Sequence, residues 1–212
     1  MNVSPPDRAH DARNRLSRAL VACLIVLGLG FFAVAINANP LHDHIDPVTG
    51  YRTERYQAAV PDTPPVGKRV WIDDIDQLVA QEKAVLVDVS PITGAGYDPA
   101  TGRWRNSKPH DSLPGAVWLP EVGRGVIDAN VERFFRQELA RLSGGDKAHP
   151  LIIFCHADCW MSWNTMKRAG RLGYTRLYWF PEGTDGWRDW DRKLVAIEPE
   201  AIKLEAGSTA AH

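Results

Sequence analysis

Cysteine is scarce in this chain, with three in 212 residues. That scarcity excludes a disulfide-stapled scaffold and makes any thiol chemistry local. Excess charge of one sign is also missing. The 25 Lys+Arg nearly balance the 26 Asp+Glu, giving a net charge of −1 and no electrostatic reason to expect nucleic acid. No internal repeat recurs, which removes the solenoid architectures. Hydrophobic and charged fractions of 44% and 24% are those of a globular chain rather than a disordered one. The length suits one domain of ordinary size, or one domain and an appendage. Tryptophan is what the chain has in abundance. Six of its eight copies lie in the C-terminal half, on either side of Cys155 and Cys159.

The charge balance hides a sharp asymmetry. Residues 1–18 are polar and end with Arg13, Arg15 and Arg18, and the uncharged run Ala19 to Ile36 follows at once. Basic flank, apolar run and then small residues have the order of a secretory signal. Eighteen apolar residues also suffice for an uncleaved membrane anchor, whereas a buried core helix would show a polar face. Residues 1–38 are therefore expected to be a signal or anchor helix, with the rest exported to the periplasm. Removing residues 1–40 takes away four basic and two acidic residues. The exported part then carries 25 − 4 = 21 Lys+Arg against 26 − 2 = 24 Asp+Glu, a net charge of −3. Leu20-Val21-Ala22-Cys23 superficially resembles a lipoprotein cleavage box, but it opens the apolar run instead of closing it. Cys23 reads as a small apolar residue.

Residues 39–68 turn to Pro, Asp, Thr and Tyr without apolar periodicity, so an irregular strap is expected there. His42, His44 and Asp46 are metal-capable, but no fourth ligand stands nearby, and a solvated tail is the better reading. From Val70 the pattern becomes α/β. Asp73 or Asp74 is expected to cap a short helix burying Ile75, Leu78 and Val79. Ala84 to Val89 and Leu151 to Phe154 read as strands buried on both faces, with Val117-Trp118-Leu119 and Arg176 to Phe180 as two more. Between the first of these strands and Pro109 lies a Gly/Pro-rich loop, too long to be idle connection. Asp128 should open a helix with Val131, Phe134, Phe135, Leu139 and Leu142 on one face, stopped by Gly144-Gly145. A further helix is expected from about Ser162 to Leu172. The alternation implies a mainly parallel central sheet with helices on both faces.

The chemistry is expected at Cys155-His156-Ala157-Asp158-Cys159-Trp160-Met161. Ligands of open α/β sheets bind beyond the carboxyl ends of strands, and Cys155 follows such an end directly. Loop amides and a helix N-terminus there would lower its thiol pKa and favour the thiolate. An inert buried cysteine is the plain alternative, and the second cysteine in the same loop argues against it. Three residues between the cysteines allow the Cα separation of roughly 4.4–6.8 Å that a disulfide requires. They do not make a haem-attachment motif, and no second ligand pair stands at zinc spacing, so no metal is expected. His156 is placed to assist the thiolate, although a histidine adjacent in sequence often points elsewhere.

Over about residues 69–197 the chain resembles a rhodanese domain. The carrying residues are Val85-Leu86-Val87-Asp88-Val89, Asp111-Ser112-Leu113-Pro114-Gly115-Ala116, Ile152-Ile153-Phe154-Cys155, and Gly173-Tyr174 followed by a strand and Glu182-Gly183 through Trp187. A narrower resemblance adds residues 155–164, 178–187 and 46–52. These are similar to the PQQ-dependent catabolism-associated CXXCW motif proteins, whose members are exported and encoded alongside quinoprotein alcohol oxidation systems. The resemblance implies a rhodanese-like domain at 69–197, with a C-terminal tail at 198–212. It also implies Cys155 as nucleophile and Cys159 as its partner, with His156, Ala157, Asp158, Trp160 and Met161 forming the binding loop. No resident cofactor is implied. The implied partners are a small sulfur donor or protein thiol, a quinoprotein alcohol dehydrogenase or its cytochrome c, and the membrane through the N-terminal segment. A non-enzymatic maturation factor with a structural disulfide is the alternative. The departures from an ordinary rhodanese are equally specific. Asp158, Trp160 and Met161 stand where that loop has glycine, arginine and Ser or Thr, so the anion-binding arginine is missing. Trp160 and Trp163 are expected to be core packing in preference to an aromatic-binding lid. Glu182 and Asp185 read as solvated loop carboxylates.

Overall fold

Two continuous apolar runs, Val85-Leu86-Val87 and Leu151-Ile152-Ile153-Phe154, lie side by side at the centre of the sheet. The computed structural model describes residues 44–98 and 100–203. The expected signal or anchor at 1–38, His42, and residues 204–212 of the expected tail lie outside them. Among the described residues no helix is long and apolar enough to cross a membrane.

In chain order the strands are β1 (Lys68–Arg69), β2 (Val85–Asp88), β3 (Gly94–Asp98), β4 (Arg103–Asn106), β5 (His110–Ser112), β6 (Val117–Trp118), β7 (Leu151–Phe154), β8 (Leu177–Phe180) and β9 (Val195–Ile197). The helices are α1 (Ile72–Glu82), α2 (Ala129–Leu142), α3 (Trp160–Arg171) and α4 (Gly183–Asp189). The main sheet has the order β1-β8-β7-β2-β6, with every pairing parallel. Alternate residues of its strands serve opposite faces, as the two-residue strand period requires. Val87, Ile153 and Trp179 join Phe134 and Phe135 of α2 and Met166 of α3 in one apolar cluster. Leu86, Ile152, Phe154 and Phe180 join Ile75 of α1 and Trp187 of α4 in the other. The fold class is therefore α/β, a parallel sheet covered on both faces.

Local details differ from expectation where side chains outrank pattern. Helix α1 is capped at Trp71, two residues before Asp73, and the Asp74 carboxylate accepts from the Trp71 N–H at 2.8 Å. Its buried stripe is Ile72, Ile75 and Leu78, while Val79 is exposed. Asp128 caps α2 as expected, accepting from the Asn130 N–H at 2.7 Å. The long loop before Pro109 is not irregular. It contains the antiparallel β3/β4 hairpin, pinned by Tyr97 against Trp104 (5.4 Å between ring centroids) and by Trp104 against Phe134 (6.0 Å). Alternating arginines around Trp104 give β4 one apolar contact per pleat, a pattern too polar to read as a strand.

Asp88 ends β2 and is fully buried. One of its oxygens accepts from the Ser90 N–H at 2.8 Å. The other accepts from the Ser112 hydroxyl at 2.5 Å and stands 2.8 Å from His110 Nε2. The aspartate thus ties the end of β2 to β5 and is a framework residue. Past β9 the chain continues over the core. The Glu200 N–H donates to Trp118 O at 3.0 Å, Trp104 Nε1 donates to Glu200 O at 2.8 Å, and Ile202 is buried.

Candidate functional site

Strand β7 hands the chain directly to Cys155, and a tight turn returns it to Cys159, the N-cap of α3. The turn closes because Asp158 adopts a left-handed backbone (φ +54°), a conformation that asparagine and aspartate tolerate better than most residues. Cys155 and Cys159 are joined by a disulfide with a Cα separation of 6.2 Å, inside the range the spacing allowed. Helix α3 begins at Trp160, two residues before the expected start.

Neither sulfur-bearing residue is open to solvent: Cys155 is 0% and Cys159 2% exposed. Their cover is the strap. Residues 56–58 run antiparallel to 158–160, with the Ala58 N–H donating to Asp158 O (2.9 Å) and the Trp160 N–H to Tyr56 O (2.8 Å). The Gln57 side-chain amide donates to Ala157 O at 3.0 Å, and the Tyr56 hydroxyl accepts from the Gly125 N–H at 2.9 Å. One face of α3 holds the rest of the strap. Trp160 Nε1 donates to Ala59 O (2.9 Å) and Trp163 Nε1 to Thr63 O (3.2 Å). Asn164 is fully buried, accepts from the Arg52 N–H (3.0 Å), and donates to Arg52 O (2.8 Å) and Gly123 O (2.9 Å). Lys167 donates to Gly50 O at 2.9 Å and Arg171 to Thr49 O at 2.7 Å. Positions 160, 163, 164, 167 and 171 share one helical face, so the tryptophan-rich sequence after Cys159 is a strap-binding surface. The Arg52 guanidinium sits 4.6 Å from the centroid of the Trp160 ring.

Further up the strap, Asp46 is a turn-former. Its carboxylate accepts from the Thr49 N–H and hydroxyl, and these bonds hold its pKa below the usual carboxylate range. His44 faces Glu54 at 3.3 Å, and His42 lies outside the described residues.

Two of the loop amides expected to cradle an anion are occupied. The Ala157 N–H donates to the Asp185 carboxylate at 3.0 Å, and that of Trp160 is taken by Tyr56. Asp185 is thus a loop-fixing acceptor, and Glu182 is ion-paired with Arg69; neither is an idle solvated carboxylate. Gly183 packs so closely that a Cβ there would stand 2.0 Å from Cys155 O. The Cys155 carbonyl accepts from the Thr184 N–H at 2.9 Å.

One cleft reaches the disulfide, with a volume of about 270 Å³. Pro91 beyond β2, Arg124 beyond β6, and His156, Cys159 and Met161 beyond β7 line it, with Tyr56 and Gln57 of the strap as its rim. It therefore opens beyond the carboxyl ends of the central strands. Cys159 borders it and Cys155 does not. Trp160, expected in the binding loop, is buried under the strap instead. Arg124 supplies the cleft's guanidinium, but that group is ion-paired with Glu121 and lies across Tyr56. A larger cleft of about 330 Å³ lies beyond β1 and β8 between Trp71 and Trp190, with no cysteine in its wall. Of the two, the smaller one has a cysteine in its wall.

No family model and no curated protein matches the chain. Solved structures do. An EanB variant in complex with hercynine is 19% identical with a TM-score of 0.42, covering 62% of this chain and 32% of its own. A thiosulfate sulfurtransferase from Pseudomonas aeruginosa is 17% identical with a TM-score of 0.41, covering 68% and 22%. A polysulfide-sulfur transferase homodimer from Wolinella succinogenes is 14% identical with a TM-score of 0.36, covering 68% and 83%. The chain spans about a third or less of the first two.

Proposed function

We propose that this chain is an exported, rhodanese-like thiol–disulfide exchange protein serving quinoprotein alcohol oxidation, with Cys155–Cys159 as its working pair. The observation that carries the reading is the cleft that ends on Cys159 while Cys155 stays behind it. A partner's thiolate enters the cleft and attacks Cys159 Sγ. The disulfide breaks, its electron pair leaves on Cys155 Sγ, and a mixed disulfide joins the partner to Cys159. The partner's second thiolate then attacks its own half of that bond. Cys159 leaves as thiolate, both cysteines take up protons, and the partner departs oxidised. The nucleophile expected from the sequence was Cys155; in this reading it is the leaving group in the reductive direction. His156, beside Cys159, is placed to deprotonate the entering thiol. The reduced pair can also carry sulfane sulfur, as a Cys155 persulfide resolved by Cys159. Periplasmic placement follows from the basic flank and apolar run at 1–36, and the link to quinoproteins from the motif resemblance at 46–52, 155–164 and 178–187.

Complete burial of Cys155 favours a second reading, a maturation factor whose disulfide is structural. The two separate on one experiment. Oxidised full-length chain is placed in glutathione buffers of decreasing potential, quenched with acid and mapped by mass spectrometry. Exchange gives glutathione on Cys159 with Cys155 free. Glutathione on Cys155, or a pair that remains closed until the protein unfolds, overturns the exchange reading.

A further inference from the structure

The loop that closes the disulfide also gathers a third donor. The two sulfurs and an imidazole nitrogen of His156 all lie within 4.8 Å of one another. We propose that the reduced Cys155–Cys159 pair and His156 form a binding site for one copper(I) ion. Donors bonded to a single ion at roughly 2.0–2.3 Å stand about 4 Å apart in a trigonal set, so the imidazole is already near enough, and the two sulfurs, bonded to each other in the oxidised form, must part on reduction to enclose an ion. Two thiolates and an imidazole are soft enough for copper(I), which accepts low coordination. Zinc wants four ligands, and no carboxylate or further His or Cys among the described residues completes the group.

The surroundings fit the same ion. His156 Nδ1 lies 3.1 Å from Ala157 O, a carbonyl able to accept the N–H of one ring nitrogen while the other serves as ligand. A metal-bound histidine ordinarily has its other N–H fixed in this way. Met161, a soft thioether, borders the same cleft beside Cys159. That cleft is the entry path, and the strap shields both sulfurs from water and oxidants. Loading balances in two steps. A dithiol gives two electrons and two protons to the disulfide and becomes a disulfide itself. Copper(I) then displaces the two thiol protons as it binds.

The site rests on the pair being reducible and not on exchange with any protein, so a phosphine reductant tests it separately from the exchange reading. Full-length reduced chain is titrated anaerobically with copper(I) held by bicinchoninate, whose colour reports the metal it loses. One copper per reduced chain is expected, with none taken by the oxidised chain. X-ray absorption should show two sulfur and one nitrogen scatterers. His156→Ala should weaken binding by at least the roughly tenfold that even a supporting group is worth, and remove the nitrogen scatterer. The proposal is overturned if bicinchoninate keeps the metal, or if oxidised and reduced chains bind alike. It is equally overturned if His156→Ala changes neither affinity nor spectrum, or if the reduced chain prefers zinc.

Discussion

At the scale of single residues, the environment of Cys155 is set by two residues far from it in sequence. Gly183 sits at φ +54° with Cys155 O where a Cβ would be. Gly183→Ala combines a left-handed alanine with an overpacked contact against backbone, which should cost about 2–5 kcal/mol. Urea unfolding checks this, and a midpoint within error of the parent would mean that α4 can move away from the cysteine loop. Asp185 matters for charge. A rhodanese arginine gives thiosulfate a charge-assisted hydrogen bond worth roughly 1.5–3 kcal/mol, hence about ten- to a hundredfold in turnover. Here that arginine is absent, Arg124 is committed to Glu121, and the Ala157 N–H is committed to Asp185. The reduced protein should therefore be a poor thiosulfate sulfurtransferase beside an ordinary rhodanese. Asp185→Ala removes a negative charge and frees one amide, and should raise the residual turnover, whereas Asp185→Asn keeps the acceptor and should raise it less. Trp160→Arg would not restore the missing group, since position 160 lies under the strap. Parity with an ordinary rhodanese in the parent protein would refute the charge argument.

At the scale of elements, α3 acts as a clamp with the strap as its load. Asn164→Leu keeps the volume but leaves the Arg52 N–H and two carbonyls without the amide that holds them. The cost should be about 2–4 kcal/mol. The strap should open locally before the domain unfolds, so the Ala58 amide should exchange faster than amides of β7. Equal protection of both in the variant would show that other contacts hold the strap. This clamp marks where legibility in the sequence ended. The sheet was readable because β2 and β7 are apolar on both faces, and α2 because Asp128 and the Phe134/Phe135 stripe punctuate it. Cys155 was readable from its place at the end of β7, and its pairing with Cys159 from spacing. The docking of the expected strap onto α3 was not, because its affinity for α3 runs through backbone carbonyls, which every residue carries alike. The tryptophans and Asn164 were visible, but their partners were not. The β3/β4 hairpin escaped for a related reason: a strand flanked by arginines has no apolar alternation to show.

At the scale of the whole molecule, the disulfide and the fold are coupled in one thermodynamic cycle. The bond spans a sequence separation of 4, a short loop, and restricting the unfolded chain by so little is worth about 2 kcal/mol. Reduction should therefore lower the unfolding free energy of the full chain by about 2 kcal/mol, which for a protein of this size is a fall of roughly 4–8 °C in Tm. By the same cycle, the folded chain holds its disulfide more tightly than the unfolded chain by an equal amount. For a two-electron couple that is a reduction potential about 40 mV more negative in the folded state. Both quantities are measurable on one preparation: urea curves with and without reductant, and glutathione equilibria with and without denaturant. The two differences must agree if the reduced protein keeps its fold. Reduction that leaves the urea midpoint unchanged would mean that a new native-state interaction of the free thiols offsets the lost cross-link, as a bound copper(I) ion would. Repeating the curves on chain and buffers freed of copper before reduction leaves no such ion, and the loss of about 2 kcal/mol should then return.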